Sequence, residues 1–275
     1  MHCHRRDLLR LGAAGLTIAV VSPAFAIDTK PQVTIKTRAA EISVTVDDDL
    51  KAHPGLRDNL LAEGRRWADQ QRAEAEKAYR ENPGNFAGDR RWTAEREYTP
   101  RSLVSRYVSV VRTDSSYEGG AHPNTYIDTI LWDRDARKRI SIRPFLKESA
   151  DNGPTMKALA KLVRTAVARE KIDRGAVEDG DDKLTPEELA EKDHFIVEGV
   201  LPTLLKLGPV TLAPSTVAGK SSGFTFHFQP YAVGPYAEGS YLAFVEWRAL
   251  APFLPPEGVS LFAGERPPGD DDQNR

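Results

Sequence analysis

The chain of 275 residues has little of what marks several protein classes. Its one cysteine, Cys3, cannot form an intrachain disulfide, so stability must come from a packed core. The apolar run at residues 11–21 is shorter than the ~20 residues that span a bilayer. A net charge of -2 gives no broad basic surface for nucleic acid. With 40% apolar and 28% charged residues, the composition is that of an ordinary globular protein, which excludes a collagen, a disordered chain and a polytopic membrane protein.

Short motifs of known chemistry are also absent from the sequence. It contains no G-x-S-x-G, no H-E-x-x-H and no phosphate-binding G-x-x-x-x-G-K-[ST], and no cysteine nucleophile follows Cys3. The histidines beyond the N-terminal region are His53, His122, His194 and His227, and none forms a close H-x-x-H pair. This spacing argues against a metal hydrolase, and we expect no metal and no cofactor.

The first 26 residues have the pattern of a signal peptide. Paired arginines, Arg5 and Arg6, precede the apolar run, and residues 24–26 read Ala-Phe-Ala, an A-x-A cleavage site. The arginine pair followed by Asp-Leu-Leu-Arg resembles the twin-arginine export signal. A Sec signal with two chance arginines and an uncleaved anchor are the alternatives. Cleavage removes three arginines and one aspartate, so the net charge of -2 becomes -4 in a cysteine-free periplasmic chain.

The rest of the chain alternates between strand-like and helix-like patterns. Apolar and polar residues alternate, as in half-buried strands, at 33–36, 41–46, 102–112, 125–132, 139–142, 224–228 and 241–247. Helical spacing or capping signals occur at 54–82, 154–171, 185–188 and 248–254. The sequence therefore predicts an α+β fold, with antiparallel sheets and packed helices, and residues 256–275 as a flexible tail.

One candidate site is the loop at residues 116–124, between two predicted strands. Its histidine offers a titratable imidazole, and its two glycines allow positive φ and close approach of a ligand to the backbone. The alternative is a wide hairpin in which the histidine only holds the loop. The candidate ligand-binding residues are Tyr117, Gly119, Gly120, His122 and Asn124.

A second candidate site is the connection at residues 229–239, which follows a predicted strand. Two prolines stiffen it, and its tyrosines could stack on a sugar or grip a protein partner. The candidate residues are Gln229, Tyr231 and Tyr236. The alternative is a structural turn whose tyrosines close a sheet edge.

A third motif partly matches a calcium-binding loop. Asp179, Asp181 and Glu188 stand at ligand positions three, five and twelve of that motif. Val177 replaces the first aspartate, however, and Asp182 replaces the turn glycine. These departures favour a solvated acidic loop before a helix.

Three stretches carry a resemblance to a known family. Residues 102–107 (SLVSRY), 117–126 (YEGGAHPNTY) and 226–237 (FHFQPYAVGPYA) resemble the tandem domains of unknown function 4163 and 3298. The pair forms the extracellular region of the RsiV anti-sigma factor, and the first member also precedes the catalytic domain of the peptidoglycan deacetylase PdaC. The resemblance covers residues 29–254. It implies an α+β fold, with one module at 27–113 and a second at 114–255.

The resemblance also implies a partner, because the region recognises lysozyme in RsiV. We find no spanning helix and no deacetylase domain in this sequence, so we expect a freestanding exported module without catalytic activity. Its ligand would be a lysozyme-like protein or a peptidoglycan fragment. One alternative is a cell-wall glycan hydrolase that uses His122 with Glu118 or Asp128, and another is a purely structural periplasmic module.

Overall fold

A computed structural model describes residues 30–177, 180–181 and 183–270. The predicted signal peptide at 1–26 lies outside the described residues, as do Asp179 and Asp182 of the acidic loop. Within the described part of the chain, no helix combines the length and apolar character needed to cross a bilayer.

The described residues form nine strands and six helices. The strands are β1 Val33–Lys36, β2 Ala40–Val46, β3 Trp92–Val104, β4 Tyr107–Tyr117, β5 Asn124–Asp133, β6 Lys138–Ile140, β7 Val210–Leu212, β8 Gly223–Phe228 and β9 Tyr241–Glu246. The helices are α1 Pro54–Glu81, α2 Pro154–Asp173, α3 Pro186–Lys192, α4 His194–Gly199, α5 Trp247–Leu250 and α6 Pro256–Val259. Short 3₁₀ turns join several of these elements.

The strands form a six-stranded sheet in the order β1-β2-β3-β4-β5-β6 and a three-stranded sheet in the order β7-β8-β9. The predicted α+β fold is confirmed. The larger sheet is mixed rather than antiparallel, because β2 and β3 run parallel, joined by the long crossover through α1. The other strand pairs of both sheets are antiparallel.

The predicted single strand at 102–112 is wrong, since the chain reverses in its middle. Val104 at the end of β3 pairs with Tyr107 at the start of β4, leaving a two-residue connection. Ser105 in this connection has φ 52°, the left-handed conformation that such tight hairpins require. Its sequence is Ser-Arg rather than Asn-Gly, so the usual signal of a two-residue hairpin is missing.

Helix α1 covers one face of the six-stranded sheet. The sheet residues that pack under it include Ile42, Val44, Val110, Ile130 and Trp132. Because successive side chains of a strand point to opposite faces, the strand residues between these point away from α1, on the second face of the sheet. Thr93, Glu95 and Glu97 of β3 lie on this second face of the sheet.

The three-stranded sheet meets the second face of the larger sheet through the edge strand β7. The Leu212 N–H donates to Ser109 Oγ over 3.1 Å, and the Val210 N–H donates to Thr129 Oγ1 over 2.9 Å. This contact covers the end of β3, the start of β4 and the second half of β5. The other half of the face, toward Tyr117, includes exposed residues such as Thr93 and Glu95.

The smaller sheet packs with helices α2 to α5 in a second core, which also includes Val104, Tyr107 and Leu131 of the larger sheet. Phe224, Phe226 and Phe228 of β8 join Met156 and Leu159 of α2 in this buried cluster. Helix α3 begins with the predicted capping box. The predicted strands at 224–228 and 241–247 are confirmed as β8 and β9, which pair in antiparallel orientation.

The C-terminal segment differs from the predicted flexible tail as far as residue 270. Phe262 is buried, and its backbone forms an isolated β-bridge with Ser221, beside the smaller sheet. Asp270 binds Arg101 of β3 through two hydrogen bonds of 2.5 and 2.6 Å, and also pairs with Arg266. A buried arginine in the sheet thus holds this segment in place, which local sequence could not reveal. The predicted boundary at 113/114 falls within β4, and the division into two modules stays a prediction.

Candidate functional site: an aromatic cluster between two connections

The two connections that sequence analysis singled out meet in space. The imidazole of His122, in the loop between β4 and β5, stacks on the ring of Tyr236, in the connection between β8 and β9. Their centroids are 3.8 Å apart and their planes differ by 22°. Tyr231 completes the group, with its ring centroid 5.5 Å from that of Tyr236 and 6.2 Å from that of His122. We call His122, Tyr231 and Tyr236 the aromatic cluster.

Tyr231 reaches the cluster from a strained turn. The Ala232 N–H donates to the Gln229 carbonyl over 3.0 Å, and Pro230 takes the second position of this turn. Tyr231 takes the third position with φ 70°, a conformation that a type II turn normally gives to glycine. A bulky residue in the left-handed region costs free energy. The turn nevertheless holds a tyrosine whose surface is 59% exposed.

Hydrogen bonds attach the β8–β9 connection to the larger sheet. Gln229 Oε1 accepts from the Ile127 N–H of β5 over 3.1 Å. The Tyr236 hydroxyl donates to the Pro123 carbonyl over 3.1 Å. Gln229 therefore positions the connection, whereas Tyr236 both packs on the histidine and fixes the loop that carries it.

The remaining predicted site residues lie around the β4–β5 loop but outside the cluster. Tyr117 is 39% exposed at the end of β4, and Asn124 pairs with Ser116 at the start of β5. Among the described residues, neither forms a ring contact or side-chain hydrogen bond with the cluster. Gly119, with φ 90°, shapes the loop, and Gly120 lies in open space.

The uncovered half of the sheet face lies next to the cluster and is acidic. Ile127, whose N–H binds Gln229, lies opposite Thr113 of the neighbouring strand β4. Thr113 in turn lies opposite Glu97 of β3. Two strand spacings place Glu97 about 10 Å from Ile127 across the face. Glu95 stands two residues away on the same face and is exposed. Burial, together with the charge of Glu95, raises the pKa of Glu97.

These two glutamates were not predicted as site residues, because most of β3 was not predicted as a strand. The charged run Glu-Arg-Glu at 95–97 did not suggest a strand. The segment can form a strand because Arg96 lies on the α1 face, where the carboxylates of Asp114 and Glu63 neutralise its charge.

The residues proposed for a hydrolase do not assemble around His122. Asp128 forms an ion pair with Arg112, at 3.0 Å, on the α1 face of the sheet. The hydrogen bonds of His122 reach the Pro123 carbonyl, at 2.9 Å, and the Tyr231 hydroxyl, at 3.5 Å. No carboxylate, Glu118 included, contacts the imidazole among the described residues. The geometry offers an aromatic contact surface rather than a histidine–carboxylate pair.

The described part of the acidic loop uses its carboxylates in structural roles. Asp181 pairs with Lys192 of α3, and Glu188 closes the capping box at the start of that helix. Within the described ranges, no group of three histidine, cysteine, aspartate or glutamate side chains is arranged to hold a metal ion.

Comparisons with known proteins give a family match for one part of the chain and a fold for most of it. Residues 150–248 match the family described as Protein of unknown function (DUF3298). No curated protein matches the chain. A DUF3298 family structure from Bacteroides fragilis is similar to 86% of this chain and 96% of its own, with 14% identity and a TM-score of 0.52. A DUF3298 family structure from Pseudomonas aeruginosa covers 86% and 93%, with 16% identity and a TM-score of 0.49.

The matched region spans α2, the smaller sheet and the connection that carries Tyr231 and Tyr236. At 14% identity, the Bacteroides fragilis structure supports the fold and no more. The chain therefore carries a DUF3298 domain at residues 150–248 within an α+β fold.

Proposed function

We propose that the protein is an exported, non-catalytic binding module that recognises a ligand of the cell envelope through the aromatic cluster. The observation that carries this proposal is the stack of His122 on Tyr236, with the exposed Tyr231 beside it. Aromatic side chains give much contact area for little conformational entropy, and they are enriched in binding surfaces. Strain of the kind found at Tyr231 is also concentrated at functional positions.

A lysozyme-like protein is the ligand that we favour. Lysozymes of the kind that attack bacterial walls are basic, whereas the chain after residue 26 has a net charge of -4. Glu95 and Glu97 place part of this negative charge about 10 Å from the attachment of the cluster. Opposite charges on two partners speed their encounter and improve specificity. A peptidoglycan fragment, stacked on the same rings, is the competing ligand.

The proposed location follows from the N-terminal sequence. A signal peptide at 1–26, of twin-arginine type, would deliver a folded chain to the periplasm, the compartment that borders the cell wall. We further propose that residues 27–113 correspond to a domain of unknown function 4163 and that residues 114–255 extend the DUF3298 domain, as in the extracellular region of RsiV.

The direct test is retention of the mature protein on immobilised lysozyme and, separately, on insoluble peptidoglycan. We expect retention on lysozyme that weakens as salt rises, because salt screens exposed charges. Tyr236→Ala should lose this retention. Tyr126→Ala is the matched control, since Tyr126 is 55% exposed on the α1 face of the same sheet.

Each outcome has a distinct meaning. Retention on peptidoglycan alone, lost in Tyr236→Ala, would change the ligand and keep the site. Equal loss in the Tyr126→Ala control would place the surface elsewhere. No retention on either material at low salt would contradict a binding function and favour a structural module.

A further inference from the structure

We infer that Lys171 is a positioning residue, which holds Tyr236 against His122 through a buried ion pair with Glu238. The Lys171 side chain is only 2% exposed near the end of α2. Its Nζ lies 2.8 Å from Asp193 Oδ2 and 3.3 Å from Glu238 Oε2. Glu238 ends the 3₁₀ turn that begins at Tyr236, so the ion pair fixes the turn that carries the stacked ring.

The two carboxylates around Lys171 are held with different firmness. Asp193 caps α4, because its Oδ1 accepts from the Ile196 N–H over 3.2 Å. Glu238 belongs to an irregular connection, and its further bond is from the Tyr241 hydroxyl, at 2.5 Å. A force that separates the two carboxylates would therefore move Glu238 rather than Asp193.

Lys171 prevents that separation. Both carboxylate oxygens lie within 3.3 Å of one ammonium group, and their side chains are only 16% and 20% exposed. Without the lysine, two like charges would face each other in a poorly solvated site, which is strongly unfavourable. A cavity of about 310 Å³, lined by Lys171, Asp193, Pro235 and Glu238, leaves room for the Glu238 side chain to move.

Because the β8–β9 connection packs closely, a movement of the Glu238 side chain would also move its backbone. A Cβ added at Gly234 would lie 2.3 Å from Glu238 Oε2 and 3.3 Å from Lys171 Nζ. The backbone therefore wraps tightly around the ion pair two residues before Tyr236. Displacement of Glu238 should shift this turn and break the stack on His122.

The test compares Lys171→Met with Arg164→Met, a control on the same helix. Arg164 binds the carbonyls of Val197 and Val200 and does not contact the connection. Both variants should lower the melting temperature, since both remove hydrogen bonds that are partly buried. Only Lys171→Met should move the NMR signals of the His122 ring toward those of Tyr236→Ala, in which the stack is absent.

Two more variants separate charge from packing. Lys171→Met/Glu238→Gln removes the repulsion and should return the His122 signals toward their wild-type positions. Glu238→Gln alone keeps the Tyr241 bond and should shift them in the same direction as Lys171→Met, but less. It also provides the test if Lys171→Met does not fold.

The NMR readout needs no ligand, and only the affinity readout rests on the proposed function. If the stack survives in about one molecule in ten, the affinity of Lys171→Met for lysozyme falls about tenfold. Shifted His122 signals without any wild-type binding would support the positioning role and contradict the proposed function. Wild-type His122 signals in folded Lys171→Met, or in Glu238→Gln where the first variant does not fold, would overturn the inference.

Discussion

The ring of His122 lies flat against the ring of Tyr236, 3.8 Å away, although the two residues belong to connections of different sheets. The contact joins two segments that sequence analysis treated as separate sites. It exists because the edge strand β7 docks on the larger sheet and brings the β8–β9 connection over the start of β5. One surface therefore replaces two candidate sites.

The strained turn at Tyr231 should lower the stability of the fold while it presents a tyrosine ring for binding. Tyr231→Gly relieves the left-handed backbone, so we expect its free energy of unfolding to exceed that of Tyr231→Ala by about 1 kcal/mol. Both variants remove the ring and should bind the ligand more weakly than wild type. Urea denaturation and a binding assay on the same samples measure the two effects. Equal stability of the two variants would argue against the strained turn.

The buried pair of Arg101 and Asp270 should contribute strongly to stability. Each side chain is only 3% exposed, so Asp270→Ala leaves an unpaired buried charge and should cost about 3–5 kcal/mol of unfolding free energy. Glu265→Ala, at an exposed ion pair with Arg248, should stay near wild type. Denaturation midpoints of the two variants provide the comparison. A small loss in Asp270→Ala would show that residues 256–270 do not pack as described.

The buried His227 should make stability depend on pH. Burial, with the nearby charge of Arg101, lowers its pKa from 6.5 to about 3, so the folded protein keeps the ring neutral. The unfolded chain takes up the proton below pH 6.5, and stability is therefore lost as pH falls from about 6.5 toward 3. Between pH 6 and 4.5, wild type should lose about 1 kcal/mol per pH unit more than His227→Gln. Parallel curves of stability against pH would contradict this.

The arginine pair in the N-terminal region leads to a prediction about export. Replacing Arg5 and Arg6 by lysine should leave the protein in the cytoplasm, because the twin-arginine route reads that pair. N-terminal sequencing of exported wild-type protein should begin at Ile27. Unchanged export of the Lys–Lys variant would favour the Sec alternative, and an intact N-terminus on the exported chain would favour the anchor.

Local patterns were enough to predict most of the elements. Alternation identified β1, β2, β5, β8 and β9, and helical spacing gave α1 at nearly its observed length. The failures include most of β3, the hairpin at Ser105, the parallel pairing of β2 with β3 and the packed segment up to residue 270. In β3, a charged segment becomes a strand only because Glu63 and Asp114, distant in sequence, neutralise Arg96.

The residues of the candidate site could be predicted from the sequence, but their contact could not. His122, Tyr231 and Tyr236 stand out because glycines and prolines surround them in strand connections. Their contact could not be derived, since it depends on how one sheet docks on the other. Lys171 and Glu238 gave no signal, because each looks like an ordinary charged residue until the fold buries it.

The most direct measurement is an NMR map of the ligand footprint on the isotope-labelled mature protein. Added lysozyme should change the signals of His122, Tyr231 and Tyr236 first, while Tyr126 on the opposite face stays unaffected. A footprint centred on the α1 face, with the His122 signals unchanged under saturating lysozyme, would contradict a binding function of the aromatic cluster.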